Sequence, residues 1–263
     1  MDDLVVERIG KIREALTRLK NENPAQARVI TVDGPSYCGK GHVAKAMLWT
    51  GFKYLDTGLL FRRLAYDTYN LISSENIEEA VLAAREIEHT LLKNDALFES
   101  LDQSFLRRHD ISIRASILAS YPEIQAPMIR IQQRWIHART IANEGCILDG
   151  RNTGTVVWPT AQVKIVVDAD HDVRCLCAQK YLRYTGRGTY ALEELDESIR
   201  KRDSSDRSRA FAPLRAPPDA HCLDFSKIMK LGLEVEREQD QAATTLPACI
   251  QNIRTALEHL QAK

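Results

Sequence analysis

A lysine between two glycines, at the end of an apolar run, is the first feature of this sequence that could do chemistry. Val29-Ile30-Thr31-Val32-Asp33 leads into Gly34-Pro35-Ser36-Tyr37-Cys38-Gly39-Lys40-Gly41, and a helix-forming stretch from His42 to Leu48 follows at once. Strand, glycine-rich loop and helix start, in that order, make a cradle for phosphate. The unpaired backbone N–H groups of the loop and first helical turn converge on one spot, the helix dipole adds positive potential, and Lys40 brings an ammonium. Glycines at 34, 39 and 41 let the backbone approach an anion without a Cβ in the way. The nucleotide-loop pattern G-x-x-x-x-G-K followed by Ser or Thr is met at Gly34, Gly39 and Lys40 and departs in its last place, where Gly41 stands. Cys38 reads two ways: as a small side chain filling the turn, or as a thiol whose thiolate Lys40 and the helix start would stabilise.

Three later stretches add charge. A short strand runs from Gly51 into Asp56-Thr57, where a helix starts with Thr57 or Asp56 as its cap and Arg62 one turn inside; a capped helix start with an arginine suits a second phosphate. Glu144 to Arg151 is another strand ending in Asp149, whose carboxylate could hold magnesium through water or orient the lysine, with Arg151 pointing at phosphate or base. From Tyr181 to Leu214, Arg183, Arg187, Arg200, Arg202, Arg207 and Arg209 outnumber what a core-facing helix would carry. This stretch reads as a mobile lid. A migrating phosphoryl group is metaphosphate-like, so its transfer is chiefly charge stabilisation, in-line positioning and exclusion of water, and a closing arginine-rich lid serves all three. The plainer reading is a charged surface helix laced with Asp203 and Asp206 pairs.

The elements that must position these residues alternate strand and helix. Further buried strands are expected over Gln162 to Asp168 and His221 to Asp224. With the phosphate loop at the first crossover, this gives an α/β fold with a parallel sheet wrapped by helices. Ahead of it, Asp3 to Asn21 reads as an amphipathic helix. Val5, Ile9, Ile12, Leu16 and Leu19 form one stripe, either packed on the domain's own surface or forming a short coiled-coil contact in a weak dimer, and Asn23-Pro24 ends the helix. About Tyr66 to Tyr121 reads as an insertion, with helical spacing over Ile77 to Leu92 that puts Ile77, Val81, Ala84, Ile87 and Leu91 on one side.

Composition narrows the class. Lys+Arg and Asp+Glu both number 36 among 263 residues, so no whole-chain attraction to nucleic acid or an anionic membrane is implied, and phosphate must be held by local arginines. The six cysteines (Cys38, Cys146, Cys175, Cys177, Cys222, Cys249) show no paired spacing beyond Cys175-x-Cys177, which fits reduced thiols in the cytoplasm better than a disulfide scaffold or a zinc site. No signal-peptide pattern and no run of membrane-spanning length is present.

Taken together, Asp33-Gly34-Pro35-Ser36 through Gly39-Lys40-Gly41, Leu55-Asp56-Thr57-Gly58 with Arg62, Asp149-Gly150-Arg151-Asn152 through Pro159, and Arg202 through Leu214 resemble the four landmark motifs of the bacterial cytidylate kinases, in order and in approximate spacing. The resemblance runs from about Arg28 to the C-terminus. It divides the chain into an N-terminal helical extension, residues 1–27, and a kinase domain, residues 28–263, with an acceptor-binding insertion at about 66–121 and a lid at about 181–214. It implies a P-loop NTPase fold of three α/β/α layers, ATP as phosphoryl donor with Mg2+, and a pyrimidine nucleoside monophosphate as acceptor. Gly34, Ser36, Tyr37, Cys38, Gly39, Lys40, Gly41 and His42 would hold ATP. Asp56, Thr57, Arg62, Arg107, Ser116, Gln125, Arg151, Asn152, Arg202 and Asp206 would bind the acceptor, and Lys40, Asp149, Arg202 and Arg209 would carry the transfer.

The departures from the family point to changed chemistry. His42 stands where the family has threonine, removing a hydroxyl from the phosphate and metal site, and a slower donor step is expected. Asn152 replaces the aspartate that helps read cytosine, and Gln125 falls where an arginine usually lies near the base; an amide can face uracil O4 as well as the cytosine amino group, so base choice is expected to relax or change. Ser205 removes one lid arginine. Two other readings stay open: a kinase for a modified or non-standard nucleotide, and a nucleotide-binding sensor that has lost turnover, against which the retention of Lys40, Asp149, Arg202, Asp206 and Arg209 argues.

Overall fold

The computed structural model describes residues 2–22, 26–69, 77–91, 104–238 and 246–261; the helix stop at Asn23-Pro24 and the end of the helical spacing at Leu92 lie outside them. Five strands form one parallel sheet: β1 (Val29–Asp33), β2 (Lys53–Asp56), β3 (Cys146–Gly150), β4 (Val163–Asp168) and β5 (His221–Asp224), in the order β2-β3-β1-β4-β5. Every residue of β1 and β3 is buried, as central strands covered on both faces require. The strand following β1 in sequence lies two places away on one side and β4 lies on the other. The loop after β1 therefore opens at the point where the winding reverses, where such sheets bind ligands. The register sets Val32 beside Asp149 and Asp56 beside Asp149, which brings the strand-end carboxylates to one edge.

The helices are α1 (Asp3–Lys20), α2 (Lys40–Ala46), α3 (Gly58–Asp67), α4 (Ile77–Leu91), α5 (His109–Leu118), α6 (Pro122–Ile141), α7 (His171–Tyr184), α8 (Leu192–Ser208), α9 (Ser226–Glu238) and α10 (Ala248–Glu258). Asp2 caps α1 by accepting from Leu4 N at 3.2 Å. The whole stripe Val5, Ile9, Ile12, Leu16 and Leu19 is buried in the main core with Ile30, Val32 and Leu223. Each such side chain contributes about 1.5–3 kcal/mol by leaving water. The stripe is thus used inside the chain, the first of its two readings.

The stretch from α3 to α6 has an apolar cluster of its own, built from Leu59, Leu60, Leu64, Leu106, Ile124 and Met128 among others. In α4 the buried side chains are Ala80, Ala84 and Leu91, and Ile77, Val81 and Ile87 pack half-covered against the same cluster, so the inward face is the one the helical spacing predicts, with Ala80 added to it. Alanine at 80 and 84 lets the α4 backbone come close to its neighbours, and the branched side chains fill the edges. Among the described residues no helix is long and apolar enough to cross a membrane.

Candidate active site

The loop between β1 and α2 has the geometry its glycines predict. A Cβ at Gly34 would stand 2.1 Å from the Val167 carbonyl oxygen, and Gly39 takes φ 93°, a left-handed conformation in which it serves as the cap of α2. Tyr37, also left-handed at φ 57°, turns the chain between them. Cys38 is fully buried behind the loop, packed towards Gly34, and burial pushes its thiol up despite nearby Lys40. The packing reading of Cys38 therefore holds and the thiolate reading does not. Lys40 touches the Pro35 carbonyl at 3.2 Å, and burial, reinforced by Arg151, pulls its pKa down. His42 lies beside Tyr181, with ring centroids 6.3 Å apart, and burial with Arg254 and Lys45 nearby lowers its pKa to about 4, so the imidazole is neutral.

A buried tie fixes the loop to α7 and α8. Asp203 on α8 accepts from Ser36 N at 3.0 Å and from Arg174 on α7, which also donates to the Ser36 and Ala169 carbonyls, each at 2.8 Å. Burial works against the charge of Asp203, but Arg174 and the Ser36 N–H outweigh it and hold the carboxyl below its usual range. No single stretch of sequence signals this tie. The one available sign is Arg174 itself, a charge beside Val173, Cys175 and Ala178 in a helix face that is otherwise apolar.

Across the cavity, Asp56 caps α3 by accepting from Gly58 N at 3.1 Å. Thr57 is used differently from expectation: its hydroxyl and N–H both bind the Asp149 carbonyl, at 2.9 and 3.0 Å, and fasten the start of α3 to β3. Asp56 also meets Arg107 at 3.0 Å and Arg62 at 3.9 Å, while Arg62 Nε reaches Ser112 Oγ at 3.2 Å. Burial opposes the charge on Asp56, yet Arg62 and Arg107 keep its carboxyl below the ordinary value. Burial pushes Asp149 up, Lys40 opposing and Asp56 reinforcing, and Tyr54 donates its hydroxyl to Asp149 Oδ2 at 3.2 Å.

The turn after β3 is held by Asp33, which sequence reading left without a role. Its buried carboxylate accepts from Thr153 N at 3.0 Å, Thr153 Oγ1 at 2.9 Å and Gly154 N at 2.8 Å. That clamp presents Arg151 and Asn152. Arg151 Nε pairs with Asp206 Oδ2 at 3.0 Å, and Asp206 also meets Arg209 at 3.4 Å. Ala212, at φ 53°, turns its carbonyl to Arg209 Nε at 2.6 Å and, at a long 3.5 Å, to Asn152 Nδ2. Gln125 is buried and donates to the Ala119 carbonyl at 2.8 Å, which Arg209 approaches at 3.4 Å. Arg202 is lowered to about 10 by burial and by Arg151, and its Nε has no hydrogen-bond partner among the described residues.

These side chains line one cavity of about 260 Å³. All of the sequence-selected residues contribute to its wall except Gly34 and Cys38, which lie behind the loop; Lys45, Phe61 and Tyr181 line it as well and sequence reading did not select them. Of the six lid arginines, Arg187, Arg202 and Arg209 face the cavity, whereas Arg183 is exposed, Arg200 pairs with Asp196 and Arg207 with Asp168 on the outer surface.

The sequence as a whole matches known proteins over this same architecture. The family model for cytidylate kinase matches residues 30–233. The chain belongs to the cytidylate kinase family. It is 36% identical to a cytidylate kinase of Rhodopseudomonas palustris over 200 residues, covering 75% of this chain and 88% of that protein. It is also 36% identical to one of Methylocella silvestris over 209 residues (76% and 87%), and 32% identical to one of Neisseria gonorrhoeae over 204 residues (76% and 91%). This cytidylate kinase family member is accordingly an ATP-dependent phosphotransferase of the nucleoside monophosphate kinase class, and α1 lies outside its matched residues.

Proposed function

We propose that the chain transfers the γ-phosphoryl group of ATP to a pyrimidine nucleoside monophosphate, CMP or dCMP, with the acceptor phosphate on the arginine wall and the donor phosphates on the glycine-rich loop. The observation that carries this reading is Arg202: a half-buried side chain whose buried Nε has no hydrogen-bond partner among the described residues, on the wall of a cavity that also holds Lys40, Arg62, Arg151 and Arg209. Burial, and after it Arg151, depress the pKa of Arg202, and cations crowded on a buried wall have a use when polyphosphate lies between them.

In this scheme the loop N–H groups and Lys40 bind the donor β- and γ-phosphates, and Arg62, Arg107 and Arg151 bind the acceptor phosphate. Arg202 and Arg209 face the charge that spreads over the migrating group. The acceptor phosphate is already an anion at neutral pH, so no general base is needed. Asp149 fits Mg2+ held through water, because Gly41 leaves room beside it: a Cβ at position 41 would stand 3.2 Å from Asp149 Oδ2. When bound, Mg2+ would supply charge neutralisation at the donor phosphates.

For the base, Asn152 with its Nδ2 turned to the Ala212 carbonyl keeps Oδ1 as an acceptor, the role a carboxylate would play towards the cytosine amino group. The amide turned over would offer a donor to uracil O4, so UMP is an expected weaker acceptor. The chain works on free nucleotides, as a monomer or a weak dimer. The test is ADP formation from ATP and Mg2+ with CMP, dCMP, UMP, dUMP and dTMP in turn. Turnover that requires an acceptor, is fastest with a cytosine nucleotide and is lost in Lys40→Ala is expected; ADP formation indifferent to the acceptor would refute the reading.

A further inference from the structure

The solvent side of the α7–α8 pair holds a cluster that phosphoryl transfer does not use. His171 opens α7, Cys175 stands one turn later on the same face, and Asp196 reaches both from α8. His171 Nε2 lies 2.6 Å from Asp196 Oδ1 and 3.4 Å from Cys175 Sγ, and the three donor atoms all fall within 4.8 Å of one another. One ring nitrogen thus faces both partners, and its single proton can serve only one of them.

A cation between the three would satisfy all of them. With a Zn–S bond of about 2.3 Å and a Zn–N bond of about 2.0 Å at a tetrahedral angle, the two donors stand about 3.5 Å apart, which is the separation Cys175 and His171 already have. Asp196 has to withdraw from 2.6 Å to roughly 3.3 Å from His171 and to stand about 3.5 Å from Cys175, from which it lies within 4.8 Å, to complete a third vertex. Cys175 is buried, while His171 and Asp196 are 19% and 38% exposed, so the site opens to solvent and leaves the fourth position to water. Nitrogen, sulfur and a single carboxylate suit a soft cation and not Mg2+, which takes oxygen ligands. The resident competitor is Arg200, which donates to Asp196 at 3.0 and 3.1 Å from an exposed position.

We propose that His171, Cys175 and Asp196 form a zinc site that fastens α7 to α8. As the sulfur–metal bond forms, the thiol proton passes to solvent. The bridge lies less than two turns from Arg202 on α8 and beside Arg174 on α7, so the cation sets how firmly the arginine-bearing helix is held to the loop. The pair Cys175-x-Cys177 plays no part as a pair, since Cys177 points into the main core.

The test titrates the metal-free full chain with Co2+, in which thiolate ligation gives a charge-transfer band in the near ultraviolet. One equivalent is expected to produce the band and Zn2+ to abolish it; the band should be absent in Cys175→Ser and unchanged in Cys222→Ser, whose exposed thiol lies elsewhere. Asp196→Asn and His171→Gln are expected to weaken binding about tenfold or more, and Arg200→Ala to tighten it. Zn2+ should raise the melting temperature of the wild type but not of Cys175→Ser. Absence of a thiolate band in the wild type, or a band that persists at full affinity in His171→Gln, would overturn the proposal, and the second arm decides it even if Cys175→Ser fails to fold.

Discussion

The inner and outer faces of α8 carry the same residue types and are used in opposite ways. Inward, Asp203 and Asp206 are 3% exposed, joined to Arg174, Arg151 and Arg209, and Arg202 stands beside them on the cavity wall. Outward, the Arg200–Asp196 pair has side chains 62% and 38% exposed, and Arg207 meets Asp168 with both side chains about half exposed at 48% and 52%. Ion pairs screened by water contribute about 0–1 kcal/mol, whereas a buried pair that loses one partner leaves an uncompensated charge and costs about 3–5 kcal/mol. The number of arginines in a lid therefore says little. Their phase on the helix decides which of them reach the cavity wall.

The largest contrast is catalytic. Arg202→Ala is expected to lower kcat about 10³-fold, the scale of an arginine that faces transferring phosphate, while Arg207→Ala on the outer face should leave steady-state rates within about twofold, as surface charges do. Similar losses in the two variants would erase the distinction. Next comes stability. Asp203→Ala should lower the urea-unfolding free energy by about 3–5 kcal/mol and Arg200→Ala by no more than about 1 kcal/mol.

A smaller effect belongs to the base. Asn152→Asp, which fixes an acceptor where an amide can turn over, should shift the kcat/KM ratio of CMP to UMP towards CMP by about 1–3 kcal/mol, roughly 5- to 150-fold. An unchanged ratio would remove Asn152 from base reading.

The smallest expected effect is a pH slope. The native His42 imidazole stays neutral down to about 4, while the unfolded chain takes up a proton near 6.5. Between those values the unfolded state binds more protons, so this contribution is complete above pH 6.5 and is lost as pH falls towards 4. Thermal melts at neutral and acid pH should show a shallower decline in His42→Thr than in the wild type.

The fold was largely legible because β1 and β4 announce themselves as short β-branched runs, β2, β3 and β5 as shorter apolar stretches ending in Asp or Asp-Gly, and the phosphate loop fixes where the sheet opens. The α1 stripe predicted a buried face but not which surface would cover it, since periodicity carries no information on partners. For α4 the spacing marked the inward face, and the burial of Ala80 beside the stripe went unsignalled. Within the site, the motifs located the cavity wall, while the supports behind it stayed hidden. The Asp33 clamp on Thr153 and Gly154, and the tie from Ser36 through Arg174 to Asp203, join residues more than a hundred positions apart, and only the folded chain brings them together. The division of the lid arginines had a sign in the sequence. Leu195, Ile199, Asp203 and Asp206 recur with helical spacing and mark the inward side, which leaves Asp196, Arg200 and Arg207 outside.

The most direct test of the central claim follows the label from γ-32P-ATP with CMP as acceptor. Transfer inside the cavity between loop and arginine wall predicts label in CDP, dependent on CMP and lost in Lys40→Ala. Label released only as inorganic phosphate, or transfer that survives Lys40→Ala, would contradict the account.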